Sequence, residues 1–159
     1  MKKIINIAVV GCADIAIRKV LPALRNLKSD FNLVAIASRD YSTAKELAIT
    51  YDCEAVEGYE NLLQIAHIDA VYIPLPTGLH DKWVTFFLKA DKHVYVEKPI
   101  SMSLDETSKF IALARKKSLS LSEGYMFKHH NQHKVIEKII RRGIIGDIRF
   151  FSSSFGFPP

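Results

Sequence analysis

Short β-branched runs and amphipathic helical stretches exchange about six times between residue 5 and residue 121, and this alternation limits the fold more than any other feature. Residues 5–10, 33–37, 54–56, 70–73, 93–96 and 119–121 read as strands. Ile17, Val20, Leu21, Leu24 and Leu27 recur at helical spacing, with Pro22 expected to kink that helix or start a new turn. Further helical stretches are expected over 42–51, over 59–66, from 79 onward with Trp83, Phe86, Phe87 and Ala90 on one side, and from a capping box at Ser103 and Glu106 to about residue 117. Such an exchange favours an α/β fold with a doubly wound, mostly parallel sheet. Pro74 and Pro76 cannot serve a central ladder, so residues 74–78 must form a loop at the carboxyl end of the fourth strand.

The 159 residues are 48% apolar and 25% charged, enough for one globular domain or one domain and the beginning of another. The net charge of +5 is spread along the chain. Its densest groups, Arg115-Lys116-Lys117 and Arg141-Arg142, fall near expected helix ends, where cations complement the dipole. No aromatic residues interleave with them, so a phosphate-bearing small molecule is expected rather than nucleic acid. Cys12 and Cys53 are too few for a disulfide framework or a zinc site, so no metal and a cytoplasmic location are expected. Residues 1–12 imitate a lipoprotein signal, but the apolar run is short, contains Asn6 and leads directly into an amphipathic helix. No stretch approaches the roughly 20 apolar residues of a membrane span.

Three places carry chemistry. Gly11-Cys12-Ala13-Asp14-Ile15-Ala16 joins the first strand to the first helix, and backbone amides at such a turn can face a pyrophosphate. Two of the three usual glycines are alanine, and a tight connection that holds no ligand is the alternative. At the end of the second strand, Ser38-Arg39-Asp40 offers a guanidinium and a hydroxyl to an adenosine 2'-phosphate. This favours NADP(H). Asp40 keeps NAD(H) possible, and a merely solvated Arg39 is the bland reading. The fifth strand ends in Glu97-Lys98-Pro99, where ligands of open α/β sheets gather. Lys98 is the candidate proton donor, since amines in weakly polar surroundings suit acid–base work. Glu97 would position it or bind ribose hydroxyls, unless the two are a surface charge pair. Leu75, Pro76, Thr77 and His80 stand near the same edge and are expected on the ribose and nicotinamide side.

The tail changes character. Val135, Ile136, Ile139 and Ile140 form one face of a helix stopping at Gly143, and residues 148–155 read as a strand with nothing after it to pair with. Residues 1–123 are therefore taken as the dinucleotide-binding domain and 124–159 as the hinge and first elements of an incomplete second domain.

Gly11 to Ala16, Leu75 to His80, Glu97-Lys98-Pro99, Glu123 to Lys128 and Ile144 to Ile148 together resemble the Gfo/Idh/MocA oxidoreductases along nearly the whole chain. The resemblance implies a Rossmann-type domain followed by an α/β domain with a large open mixed sheet, which binds substrate and forms homo-oligomers. The first turn is most similar to that of NADPH-dependent 3-ketoreductases of nucleotide-linked deoxysugars. In that branch the lysine matching Lys98 protonates the nascent alkoxide as hydride arrives. Lys128, with His130-Asn131, stands where the family commonly has arginine and then histidine-proline, and is carried over as a substrate contact. The expected activity is hydride transfer between nicotinamide and a carbonyl or secondary alcohol of a sugar or nucleotide sugar. A dinucleotide sensor or scaffold without redox chemistry is the alternative.

Overall fold

The computed structural model describes residues 3–154 and 156. Six strands, β1 (Ile5–Val10), β2 (Phe31–Ser38), β3 (Glu54–Glu57), β4 (Ala70–Ile73), β5 (His93–Val96) and β6 (Leu121–Glu123), form one sheet in the order β3-β2-β1-β4-β5-β6. Every pairing is parallel. The chain therefore winds outward from β1 in one direction and from β4 in the other, which is the Rossmann-type order. It opens a crevice at the carboxyl ends of those two strands. The run 5–10, which imitates a signal segment, is the central strand, with Ala8, Val9 and Val10 fully buried.

Both faces of the sheet are covered, so its inner strands are apolar throughout instead of alternating with polar residues. On one face Ala8, Val10, Val71, Ile73, Val94 and Val96 share a core with Phe87, Leu88 and Phe110, from α3 (His80–Lys89) and α4 (Leu104–Lys116). On the other, Ile7, Val9, Ile36 and Tyr72 pack with Leu21 and Leu24 of α1 (Leu21–Asn26). Burying Phe87 or Phe110 completely contributes about 2–3 kcal/mol each. α2 (Tyr41–Tyr51) connects β2 to β3 and turns Ala44 and Ala48 inward.

Pro22 acts through the turn before it. Residues Ala16–Val20 form a π-helical turn in which Leu21 N–H donates to the Ala16 carbonyl, and an α-helix restarts at Leu21 with proline in its first turn. The wider turn accommodates a ring that would otherwise press on the carbonyl four residues back. The stretch 59–66 forms only a short 3₁₀ helix, Glu60–Gln64. At Ser103 the capping box is offset: Ser103 Oγ accepts Glu106 N–H at 3.2 Å, while Glu106 reaches Met102 N–H at 3.0 Å.

The last strand begins two residues later than 119–121. Ser118 takes a left-handed conformation with φ of 55°. Its N–H and that of Leu119 then close back on the Arg115 and Ala114 carbonyls, which uses up 118–119 in stopping α4.

The chain divides into two compact units, one ending at Gly124 and the next starting at Tyr125. The second unit contains a 3₁₀ turn, Met126–His129, and α5 (Asn131–Arg141), on which Val135, Ile136 and Ile140 are exposed. The strand expected over 148–155 is not formed in residues 148–154, and Phe155 lies outside the described residues. An extended run with no neighbour has no ladder to enter.

Candidate functional site

Parallel strands end at one edge, so the turns after β1, β2, β4 and β5 all open on the same side of the sheet. The exits of β1 and β5 are separated only by β4. At the usual strand spacing this puts Gly11 and Lys98 about 10 Å apart across the crevice.

Gly11 ends β1 with φ of +106°. The conformation calls for glycine, and a Cβ added there would lie 2.7 Å from Leu75 Cδ2 and have to push that methyl aside. Its N–H donates to the Ala37 carbonyl at 2.8 Å, which seats the turn on β2. The amides of Cys12, Ala13, Asp14 and Ile15 meet no backbone acceptor among the described residues, which leaves a row of donors at the start of the helix. The Asp14 carboxylate pairs with Arg18 at 3.4 Å on the surface, so Asp14 offers the crevice its amide rather than its charge.

The exit of β2 separates the roles of three adjacent residues. Asp40 caps α2: its carboxylate accepts Ser42 N–H at 2.9 Å, the Ser42 hydroxyl at 2.8 Å and the Thr43 hydroxyl at 3.0 Å. Those bonds, led by the Ser42 and Thr43 hydroxyls, hold its carboxyl below the usual range. Ser38 is nearly buried and its hydroxyl accepts Asp40 N–H at 3.2 Å. Cys12, in the first turn, is half-buried. Burial pushes the Cys12 thiol up, and the Asp40 charge adds to this against the opposing Ser38 hydroxyl. Arg39 is exposed and forms no hydrogen bond or ion pair among the described residues. It borders a cleft of about 540 Å³ shared with Gly58, Tyr59, Leu79, Lys82 and Trp83.

At the exit of β5, Glu97 and Lys98 part company. Glu97 is buried, with 8% exposure, and accepts the Tyr72 hydroxyl at 2.8 Å. Tyr72 stacks on Tyr95 with ring centres 5.1 Å apart. Burial, then the bond to Glu97 and its charge, pushes the Tyr72 hydroxyl well up, so it stays a donor. A Cβ on Gly124 would sit 3.1 Å from both Glu97 oxygens. The surface charge pair is thus excluded by burial: the Glu97 partner is Tyr72, and Lys98 is exposed with no hydrogen bond or ion pair among the described residues.

After Lys98 the peptide to Pro99 is cis. The carbonyls of Pro99 and Ile100 lie 3.0 and 3.2 Å from His80 Nδ1, and His80 Nε2 lies 2.8 Å from the Leu75 carbonyl. His80, expected on the ribose and nicotinamide side, meets loop backbone with both ring nitrogens. The ring is fully buried and both nitrogens are engaged with backbone carbonyls, so it links the β4 and β5 loops from within. Leu75 is also buried, whereas Pro76 is exposed and Thr77 half-buried in a 3₁₀ turn, Thr77–Leu79. Glu123, at the end of β6, accepts Ile100 N–H at 2.8 Å.

Lys128 lies in the second unit and is exposed. No group of three or more potential metal ligands occurs among the described residues. No described helix is long and apolar enough to cross a membrane. Tyr72, Glu123 and Gly124 escaped assignment of a role. Tyr72 gives no local signal, since it reads as one more apolar strand residue, but Glu123-Gly124 stood inside a recognised motif.

A dTDP-3,4-didehydro-2,6-dideoxy-α-D-glucose 3-reductase of Saccharopolyspora spinosa is 45% identical over 159 residues, all of this chain and 48% of that protein. A D-xylose 1-dehydrogenase (NADP(+)) of Haloferax volcanii is 33% identical over 150 residues, 94% of this chain and 45% of that one. Among solved structures, a 3-ketoreductase from Actinomadura kijaniata in complex with TDP-benzene and NADP superposes with a TM-score of 0.85 at 42% identity, covering 92% of this chain and 46% of that chain. The chain spans about half the length of the relatives it matches. The profile of one family, described as oxidoreductases with an NAD-binding Rossmann fold, matches residues 5–125, and the chain belongs to that family, Gfo/Idh/MocA.

Proposed function

We propose that this chain holds NADP(H) along the carboxyl edge of its sheet and supplies the proton for reduction of a ketone on a dTDP-linked deoxysugar. The observation that carries the reading is the division of labour after β2: Asp40 is spent on the α2 cap while Arg39 has no partner among the described residues. A carboxylate free to bind a 2'-hydroxyl would favour NAD(H); an unengaged guanidinium beside the Ser38 hydroxyl favours a 2'-phosphate.

The residues fit the cofactor in three places. The amides from Cys12 to Ile15, which meet no backbone acceptor among the described residues, can donate to a pyrophosphate, and the small residues Gly11 and Ala13 leave the backbone open to its approach. Ser38 and Arg39 face the adenosine end. Leu75, Pro76, Thr77 and Glu97 bound the other end, with His80 holding Leu75 from beneath. When bound, the reduced nicotinamide supplies hydride to the carbonyl carbon. Lys98 then gives a proton from its ammonium to the alkoxide oxygen, which completes the secondary alcohol, and the neutral amine recovers a proton from water. Lys128 is the further substrate contact. The sugar nucleotide is suggested by the 3-reductase of S. spinosa and by the TDP compound bound to the A. kijaniata enzyme. The location is cytoplasmic and the assembly a homo-oligomer formed through the second domain.

The test is oxidation of NADPH, followed by its absorbance, with dTDP-3,4-didehydro-2,6-dideoxy-α-D-glucose and the polypeptide at the full length of its reading frame. Lys98→Met is expected to lower kcat at least 100-fold with NADPH affinity little changed. Unaltered turnover in that variant removes Lys98 from the chemistry, and tight NADPH binding without any turnover in the parent favours a sensor.

A further inference from the structure

Lys98 makes no side-chain bond of its own among the described residues, so what the structure fixes is the point from which its side chain starts, set by the backbone on either side of it. Upstream the sheet does this work: Glu97 N–H donates to the Ile73 carbonyl at 3.0 Å, continuing the ladder between β5 and β4. Downstream the ladder stops, because Pro99 has no N–H to give. Side chains from two other elements take over. His80, at the start of α3, engages the Pro99 and Ile100 carbonyls, and Glu123, at the end of β6, accepts Ile100 N–H. One grips the segment by its carbonyls and the other by its amide, from strands and helices far apart in sequence.

We propose that His80 and Glu123 are positioning residues that hold the 99–100 segment as a clamp and thereby fix the point from which the Lys98 side chain reaches the reacting oxygen. The inference rests on the proton-donor reading of Lys98. Each acts through the backbone that carries the lysine. A displacement of about 1 Å in a reacting group can cost on the order of 100-fold in rate, which is the scale on which losing one arm of the clamp should register.

The experiment is steady-state reduction of dTDP-3,4-didehydro-2,6-dideoxy-α-D-glucose by NADPH with the polypeptide at the full length of its reading frame, in the parent, Glu123→Ala, Glu123→Gln, His80→Asn, His80→Leu and Lys98→Met. Glu123→Ala is expected to lower kcat about 10-fold or more while KM for NADPH moves less than about threefold. Glu123→Gln keeps an oxygen for Ile100 N–H and is expected to restore most of the rate. His80→Asn keeps a donor near the Pro99 carbonyl while dropping the link to Leu75, and serves as the second arm should Glu123→Ala fail to fold. It is expected to retain more than about a third of kcat where His80→Leu, which lacks the donor, loses about 10-fold; equal rates in the two would overturn the His80 arm of the clamp. The clamp is overturned if Glu123→Ala leaves kcat unchanged, if kcat and KM fail together, or if glutamine does not rescue. Normal turnover in Lys98→Met refutes the proton-donor reading itself. A slow Lys98→Met beside a normal Glu123→Ala refutes the clamp alone.

Discussion

The Tyr72 hydroxyl donates to the Glu97 carboxylate at 2.8 Å, which turns the residue preceding Lys98 into the protein and away from a pairing with that amine. Tyr72→Phe removes the donor and leaves the buried acceptor without it. Stability should fall by about 2 kcal/mol, read as a lower denaturation midpoint with an unchanged slope.

Gly11→Ala forces a side chain into a φ of +106° and within 2.7 Å of Leu75 Cδ2. The backbone strain alone costs about 1–3 kcal/mol. Fluorescence titration should find NADPH affinity reduced at least 10-fold. The double variant Gly11→Ala/Leu75→Ala should recover only part of this, since shortening the leucine relieves the contact but not the dihedral.

Arg39→Ser separates the two cofactors. A charge-assisted bond to phosphate contributes about 1.5–3 kcal/mol, so NADPH should bind about 10- to 100-fold more weakly while NADH affinity shifts less than about twofold. Paired titrations of both nucleotides check this. Asp40→Ala should instead destabilise α2 by about 1 kcal/mol without turning the protein toward NADH.

Much of this was legible in the sequence because it is local. The Gly11 turn, the Ser103 cap and the apolar runs of β1, β4 and β5 each lie within a few consecutive residues, where sterics and periodicity decide the outcome. The shift of β6 to residues 121–123 was not legible, because it depends on Ser118 adopting a conformation usually left to glycine. The site's internal supports were hidden for a different reason. Tyr72 meets Glu97 across 25 positions and His80 meets Pro99 across 19, and only the order of strands in the sheet brings them together. The 148–154 run is extended in propensity and unpaired in fact.

Cys53 lies between Asp52 and Glu54, and burial first, then those two charges, pushes its thiol up to about 11. A raised value means less thiolate at a given pH. At pH 8 alkylation by iodoacetamide should run about 100-fold slower than for a free cysteine with the ordinary value. The rate should climb tenfold per pH unit until it levels near pH 11. Peptide mass spectrometry across pH 7–10 measures it, and a rate already flat at pH 9 would contradict the burial argument.

A crystal structure with NADPH bound gives the most direct test of a single crevice shared by the first turn and the lysine. The pyrophosphate should rest on the amides of Cys12 to Ile15, the 2'-phosphate on Arg39, and the nicotinamide ring within about 4 Å of Lys98 Nζ. A nicotinamide lodged away from the β5 exit, or a pyrophosphate that bypasses the Gly11 turn, would contradict it.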